Sequence, residues 1–135
     1  MHNFIFMKKV IFILILFITQ LFAIDNIVCS EYREMGDMSR EKTCLFPKMK
    51  LTKAYENAVK ERYSTFNLEQ YLEPNIPKHN KKNQLGKGAE RIYIDYKISN
   101  KRIVTIDMLA GIASFGMKLT EDNNGTIILY SISAD

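Results

Sequence analysis

The sequence predicts an α+β domain, with one main helix packed on a four-stranded antiparallel meander behind a cleaved signal peptide. Three observations predict it. Residues 7–23 are a short apolar run with a positive start. Residues 51–66 repeat apolar side chains at three- and four-residue steps. From Arg91 onward the period switches to two, through four short runs separated by turn residues.

Residues 7–23 read MKKVIFILILFITQLFA. Lys8 and Lys9 give a positive start, the middle is apolar, and Ala23 is a small residue at a cleavage site, which are the three parts of a secretory signal. The run is shorter than the roughly 20 residues that span a bilayer. An uncleaved anchor is the alternative, and Leu21, large for a position three before the cut, is what favours it. Ile27 and Val28 are bulky where a lipoprotein has small residues before its Cys29. The expected organisation is a signal at 1–23 and a single domain at 24–135, periplasmic or secreted, with no stable membrane anchor after cleavage.

The whole chain carries a formal charge of +4, and the export segment holds Lys8 and Lys9, so the remainder is two charges less basic. So weak a balance gives no dense basic face, and a nucleic-acid partner is not expected. Cys29 and Cys44 are the only two cysteines. In an oxidising compartment they read as a disulfide, closing a loop of about 15 residues for about 3 kcal/mol. Their spacing is too wide for a C-x-x-C redox pair. Zinc would need more ligands than His79 supplies, and no metal or other cofactor is expected.

Along the domain, residues 30–35 are expected to form a short helix ended by Gly36 and Asp37. In the helix at 51–66, Leu51, Ala54, Tyr55, Ala58, Val59, Tyr63 and Phe66 share one side. Thr52 is its candidate N-cap, and Glu56 and Lys60 make a favourable i,i+4 pair. Asn67 to Gln70 resembles a capping box that restarts a short helix through Leu72, stopped by Pro74 and Pro77. Residues 74–90, PNIPKHNKKNQLGKGAE, lack an apolar period and read as a structureless loop. Lys78, His79, Lys81, Lys82 and Lys87 make it the one basic stretch. It is either a solvated loop or a contact for an anionic group.

Four hairpin strands follow, and their faces set an expected register. Across residues 100–102, Ile98 meets Val104, Tyr96 meets Ile106 and Ile94 meets Met108. Across Ala110-Gly111, Met108 meets Ala113, Ile106 meets Phe115 and Val104 meets Met117. Across residues 122–125, Leu119 meets Ile128, Met117 meets Tyr130 and Phe115 meets Ile132. One face is then apolar throughout, and the 51–66 helix is its cover.

The same register fixes the other face. Asp95 falls opposite Asp107, and Asp107 opposite Ser114. Like charges across a ladder destabilise it. They are either screened by Lys97 and Lys118 or brought together for chemistry, sharing a proton or a cation. Beside them lie Thr105, Ser114, Gly116, Ser131 and Ser133. A strand glycine such as Gly116 often marks close approach by a ligand or another backbone. His79 is far in sequence from these serines, so a Ser-His-Asp triad is not supported. Residues 122–126, Asp-Asn-Asn-Gly-Thr, contain the N-x-T acceptor pattern. The Asp two residues before Asn124 resembles the extended sequon of bacterial oligosaccharyl transfer, although a hairpin turn accounts for the same residues.

A helix followed by a four-stranded meander resembles the cystatin-like class of fold over residues 51–135, in topology alone. The Gln-x-Val-x-Gly loop of the inhibitors is absent, so no function carries over. The functional expectation is a small non-enzymatic exported protein of inhibitor or immunity type, binding a protein partner in the cell envelope through Lys78, His79, Lys81, Lys82, Ser114, Gly116 and Ser131. The alternatives are a small hydrolase using Asp95 and Asp107, and a carrier with an apolar ligand between helix and sheet.

Overall fold

The computed structural model describes residues 26–134, so the signal segment and its cleavage site lie outside the described residues. Strands run over Val28–Cys29 (β1), Arg33–Gly36 (β2), Ser39–Pro47 (β3), Lys81–Leu85 (β4), Ile92–Asn100 (β5), Ile103–Ala110 (β6), Ala113–Asp122 (β7) and Gly125–Ala134 (β8), with a helix at Leu51–Glu61 (α1). All eight belong to one sheet in the order β1-β3-β8-β7-β6-β5-β4, with β2 on β3 beside β1, and every pairing is antiparallel.

This corrects the α+β expectation. Strand makes up 52% and helix 17% of the described residues, so the molecule is mostly antiparallel sheet with one short helix, not a helix on a four-stranded meander. The cystatin-like topology falls with it, because α1 lies in the chain between strands of one sheet and the early strand β3 pairs with the last strand β8 along its whole length.

Residues 30–35, expected as a helix, instead enter a hairpin. Arg33 pairs with Glu41 and Gly36 with Ser39, because Gly36 and Asp37 turn the chain back onto β3 rather than ending a helix. Just upstream, Cys29 faces Cys44 across β1 and β3, and the two form the disulfide, with sulfurs 2.06 Å apart. Residues 81–85, expected to be structureless, form the edge strand β4 against β5. Lysines on an exposed edge discourage further strand pairing, which is a structural use for Lys81 and Lys82. Asn80 extends the protection, its Oδ1 accepting Ile98 N–H at 2.7 Å.

Two of the three expected hairpin registers are present: Tyr96 faces Ile106 and Met117 faces Tyr130. The β6–β7 register is two residues away from the expected one, with Met108 facing Phe115, Ile106 facing Met117 and Ala110 facing Ala113. The loop is Gly111-Ile112, not Ala110-Gly111. Gly111 takes φ +63° at the first loop position, where a tight II′ hairpin requires glycine. A two-residue slip leaves each side chain on its own face.

The inner face carries Ile94, Tyr96, Val104, Ile106, Met108, Met117, Leu119, Ile128 and Tyr130, all buried with Cys44 and Phe46. Leu51, Ala54, Tyr55 and Ala58 of α1 pack into the same core. The expected N-cap Thr52 does not cap. Lys50 holds that position without a side-chain bond, and Glu121 of β7 accepts Leu51 N–H at 2.6 Å. A carboxylate there also complements the helix dipole. The helix ends at Glu61, five residues earlier than expected, with Arg62 left-handed at φ 58°.

Beyond Arg62 the chain turns around a buried carboxylate. Glu69 is fully buried. Its Oε2 accepts Ser64 N–H at 2.9 Å, Ser64 Oγ donates to its Oε1, and Ser64 Oγ in turn accepts Leu68 N–H at 3.0 Å. The reciprocal cap therefore joins Ser64 to Glu69, not Asn67 to Gln70. Asn67 is left-handed without a capping side chain, and only a 3-10 turn, Leu68–Tyr71, follows. Tyr55 OH donates to Glu73 O at 2.5 Å, and Tyr96 OH accepts Glu73 N–H at 3.0 Å, so the segment is tied to both helix and sheet.

Candidate functional site

Opposite α1, the outer face of the sheet is laid out in rows by the strand register. One row runs Lys82, Asp95, Asp107, Gly116, Ser131, Glu41 and Arg33 across β4, β5, β6, β7, β8, β3 and β2. Asp95 does lie opposite Asp107, but Asp107 faces Gly116 and not Ser114, which faces Leu109. The corrected β6–β7 register moves it. Lys97 Nζ comes within 3.9 Å of Asp107 Oδ2, and Lys82 pairs across from Asp95, so each carboxylate has a cation beside it. Among the described residues no three His, Cys, Asp or Glu side chains gather.

Gly116 opens a trough in this face. A Cβ there would stand 2.6 Å from Ser131 Oγ, so the serine already leans over the glycine. In the next row Ser114 and Ser133 share a hydrogen bond, Oγ to Oγ at 2.6 Å. The trough, about 380 Å³, brings together Asp107, Ser114, Gly116 and Ser131 with Glu41 of β3. Its serines satisfy one another or fill the gap, and it is open and shallow.

The basic residues lie at the sheet's far edge, away from the trough. Lys81 Nζ is tied to Glu73 Oε1 at 2.5 Å. Lys78, His79 and Lys87 are exposed.

Sequence reasoning missed a second feature at the opposite edge. The β2–β3 hairpin, Thr65, Phe66 and the end of β8 enclose a cleft of about 650 Å³, lined also by Tyr32, Met38, Arg40 and Ile132. Both loop residues of the hairpin are left-handed, Asp37 at φ 48° and Met38 at φ 60°, as a I′ turn demands. Aspartate tolerates that conformation, but an unbranched apolar side chain is costly there. Met38 is nevertheless 74% exposed at the tip.

Phe66 forms the facing wall. The early end of α1 turns it outward, 57% exposed, with its ring 6.4 Å from that of Phe115. Behind the cleft lie Lys42, Tyr32, Tyr63, Glu69 and Tyr130. Lys42 Nζ donates to Tyr63 O at 2.5 Å and sits 5.4 Å from the Tyr32 ring centroid. Burial pushes the Tyr130 phenol up, and the neighbouring Glu69 adds to it. Burial also pushes the Tyr32 phenol up, and its buried hydroxyl has no hydrogen-bond partner among the described residues. The cleft thus sets Met38, Phe66 and Ile132 among the polar side chains of Glu34, Asp37, Ser39, Arg40 and Thr65.

Comparison with known proteins returns no match: no family model, curated protein or solved structure matches this chain. Function must come from the site itself. The signal available in the sequence was Gly36-Asp37 between two charged runs, which also reads as a hairpin turn.

Proposed function

We propose that this is a small exported, non-enzymatic binding protein of inhibitor or immunity type, which holds a protein partner of the cell envelope at the Met38–Phe66 cleft. One observation carries the reading: Met38 sits exposed in a left-handed turn position that glycine or asparagine fills at lower cost. Backbone strain that persists at an exposed site points to use of the side chain. Flexible methionine suits an adaptable contact surface, and Phe66 supplies a rigid aromatic anchor opposite it. The disulfide is compatible with export.

Two other readings have less behind them. A hydrolase built on Asp95 and Asp107 has each carboxylate next to a lysine and no third donor gathered among the described residues. A carrier needs a chamber, and the space between Leu68, Leu72, Ile106, Met108, Phe115 and Met117 is about 10 Å³, no more than one water needs.

The test places a photo-crosslinking side chain at position 66 and, separately, at Lys101 on the far hairpin, in oxidised protein added to envelope extract. The expected outcome is one discrete adduct from position 66 alone, lost when Met38→Gly is added. Equal labelling from both positions, or an adduct indifferent to Met38→Gly, would remove the cleft as the binding site.

A further inference from the structure

We propose that Asn124 is an N-glycosylation acceptor that is modified before the domain folds. Asp122-Asn123-Asn124-Gly125-Thr126 spells an acidic residue two before the asparagine and a threonine two after it, the pattern an oligosaccharyl transferase reads. The fold separates these residues. Asp122, Asn123 and Asn124 are exposed in the β7–β8 turn, where Asn124 N–H donates to Asp122 Oδ1 at 2.7 Å. Thr126 is fully buried, facing Phe46 on β3, and its hydroxyl donates to Met49 O at 2.9 Å. Lys48 N–H also donates to Asn124 O at 2.8 Å, fastening the turn to the end of β3.

A transferase must extend this segment and reach the threonine hydroxyl. In the folded protein that hydroxyl is used and covered. Before β8 docks on β3 it is free. Once attached, a bulky glycan on Asn124 has room, because the asparagine points into solvent. It would also leave the Met38 cleft open. β3 and β8 pair from Pro47–Gly125 to Ser39–Ser133, which puts the turn and the cleft at opposite ends of β3, about 26 Å apart at ~3.3 Å per residue.

The reaction joins Asn124 Nδ2 to the anomeric carbon of a polyprenyl-diphosphate-linked oligosaccharide. That carbon's bond to the phosphate oxygen breaks, the lipid diphosphate leaves with the electron pair, and the Nδ2 proton passes to a base of the transferase. The inference goes beyond the binding reading and shares with it only export, the side of the membrane where such donors are used.

The test is run with purified components: a bacterial oligosaccharyl transferase, its lipid-linked donor, and the full chain either oxidised and folded or reduced, alkylated and shown by circular dichroism to be unfolded under the assay conditions. Intact mass and peptide mapping read the product, and a short peptide bearing the same five residues is the positive control. The expected result is one glycan on Asn124 of the unfolded chain, none on Asn124→Gln, and at least tenfold slower transfer to the folded chain. No transfer to the unfolded chain while the peptide is modified would overturn the site. Equal transfer to folded and unfolded chains would overturn the order of events. Because the assay needs no secretion and does not involve the Met38 cleft, its failure overturns the acceptor site and leaves the binding reading standing, while loss of the cleft adduct leaves the acceptor site standing.

Discussion

Met38→Gly should make the domain more stable while weakening its binding. The backbone at Met38 is left-handed at φ 60°, a conformation that costs an L-residue about 1–2 kcal/mol and costs glycine nothing. Glycine gives back about 0.5–1 kcal/mol through the greater freedom of its unfolded chain. The Met38 side chain is mostly exposed, so little burial is lost. The net expectation is a gain of about 0.5–1 kcal/mol. At a urea m-value of roughly 1–3 kcal/mol/M the midpoint should rise by a few tenths of molar, with m unchanged. Asp37→Gly serves as the control. Aspartate visits this region readily, so there is little strain to relieve, and the glycine penalty of about 0.5–1 kcal/mol should make this variant no more stable than the parent and up to that much less. The measurement is urea unfolding of the oxidised protein followed by circular dichroism. A variant no more stable than the parent would show that Met38 makes contacts worth more than the strain, and the case for its functional use would fail with it.

Three further outcomes are expected. Gly116→Ala should shift stability by less than about 1 kcal/mol, because Ser131 Oγ, which its Cβ would meet at 2.6 Å, can rotate away and alanine gains about 0.5–1 kcal/mol over glycine within a strand. Thermal melts should show Gly116→Ala/Ser131→Ala at least as stable as Gly116→Ala alone. Glu69→Ala strands Ser64 N–H and Ser64 Oγ, with Tyr130 OH only 3.5 Å from the same carboxylate. At about 1–3 kcal/mol per stranded buried donor it should lose at least ~2 kcal/mol in urea unfolding, and Glu69→Gln should lose less. Stability should also fall steeply in alkali. Burial raises the Tyr55 and Tyr130 phenols well above their ordinary value of 10.0, so above pH 10 the unfolded chain releases protons that the folded one keeps. Each group then lowers stability by about 1.4 kcal/mol per pH unit, and none of this loss should occur below pH 9. An unfolding midpoint flat from pH 9 to 11 would contradict it.

The C-terminal strands were legible because each alternates cleanly, and alternation fixes which face a residue takes. That was enough to put Asp107, Ser114, Gly116 and Ser131 on one surface. It was not enough to fix the β6–β7 pairing, since a shift of two preserves every face. Only the demand of a tight turn for glycine at its first position distinguishes the alternatives, and Gly111 meets it. β3 was hidden by Arg40-Glu41-Lys42, where Lys42 turns a charged side chain to the inner face and anchors it on Tyr63 O. β4 was hidden because a protected edge is polar by design and therefore resembles a loop. The helix end was misjudged because Ser64 bonds to a carboxylate five residues on, a tertiary arrangement with no local period. The cleft depends on two of these missed features, β3 and the early helix end, so it could not be assembled from pattern alone.

The pairing of β3 with β8 has a consequence for synthesis. Ser39 finds its neighbour in Ser133, so a chain emerging from its N-terminus holds a half-made ladder until residues 125–133 appear. Contacts of such long range form slowly. Until then residues 39–47 have no partner strand on the β8 side. Removing the final ten residues should leave the early third of the domain without its neighbour, as surely as removing that third itself.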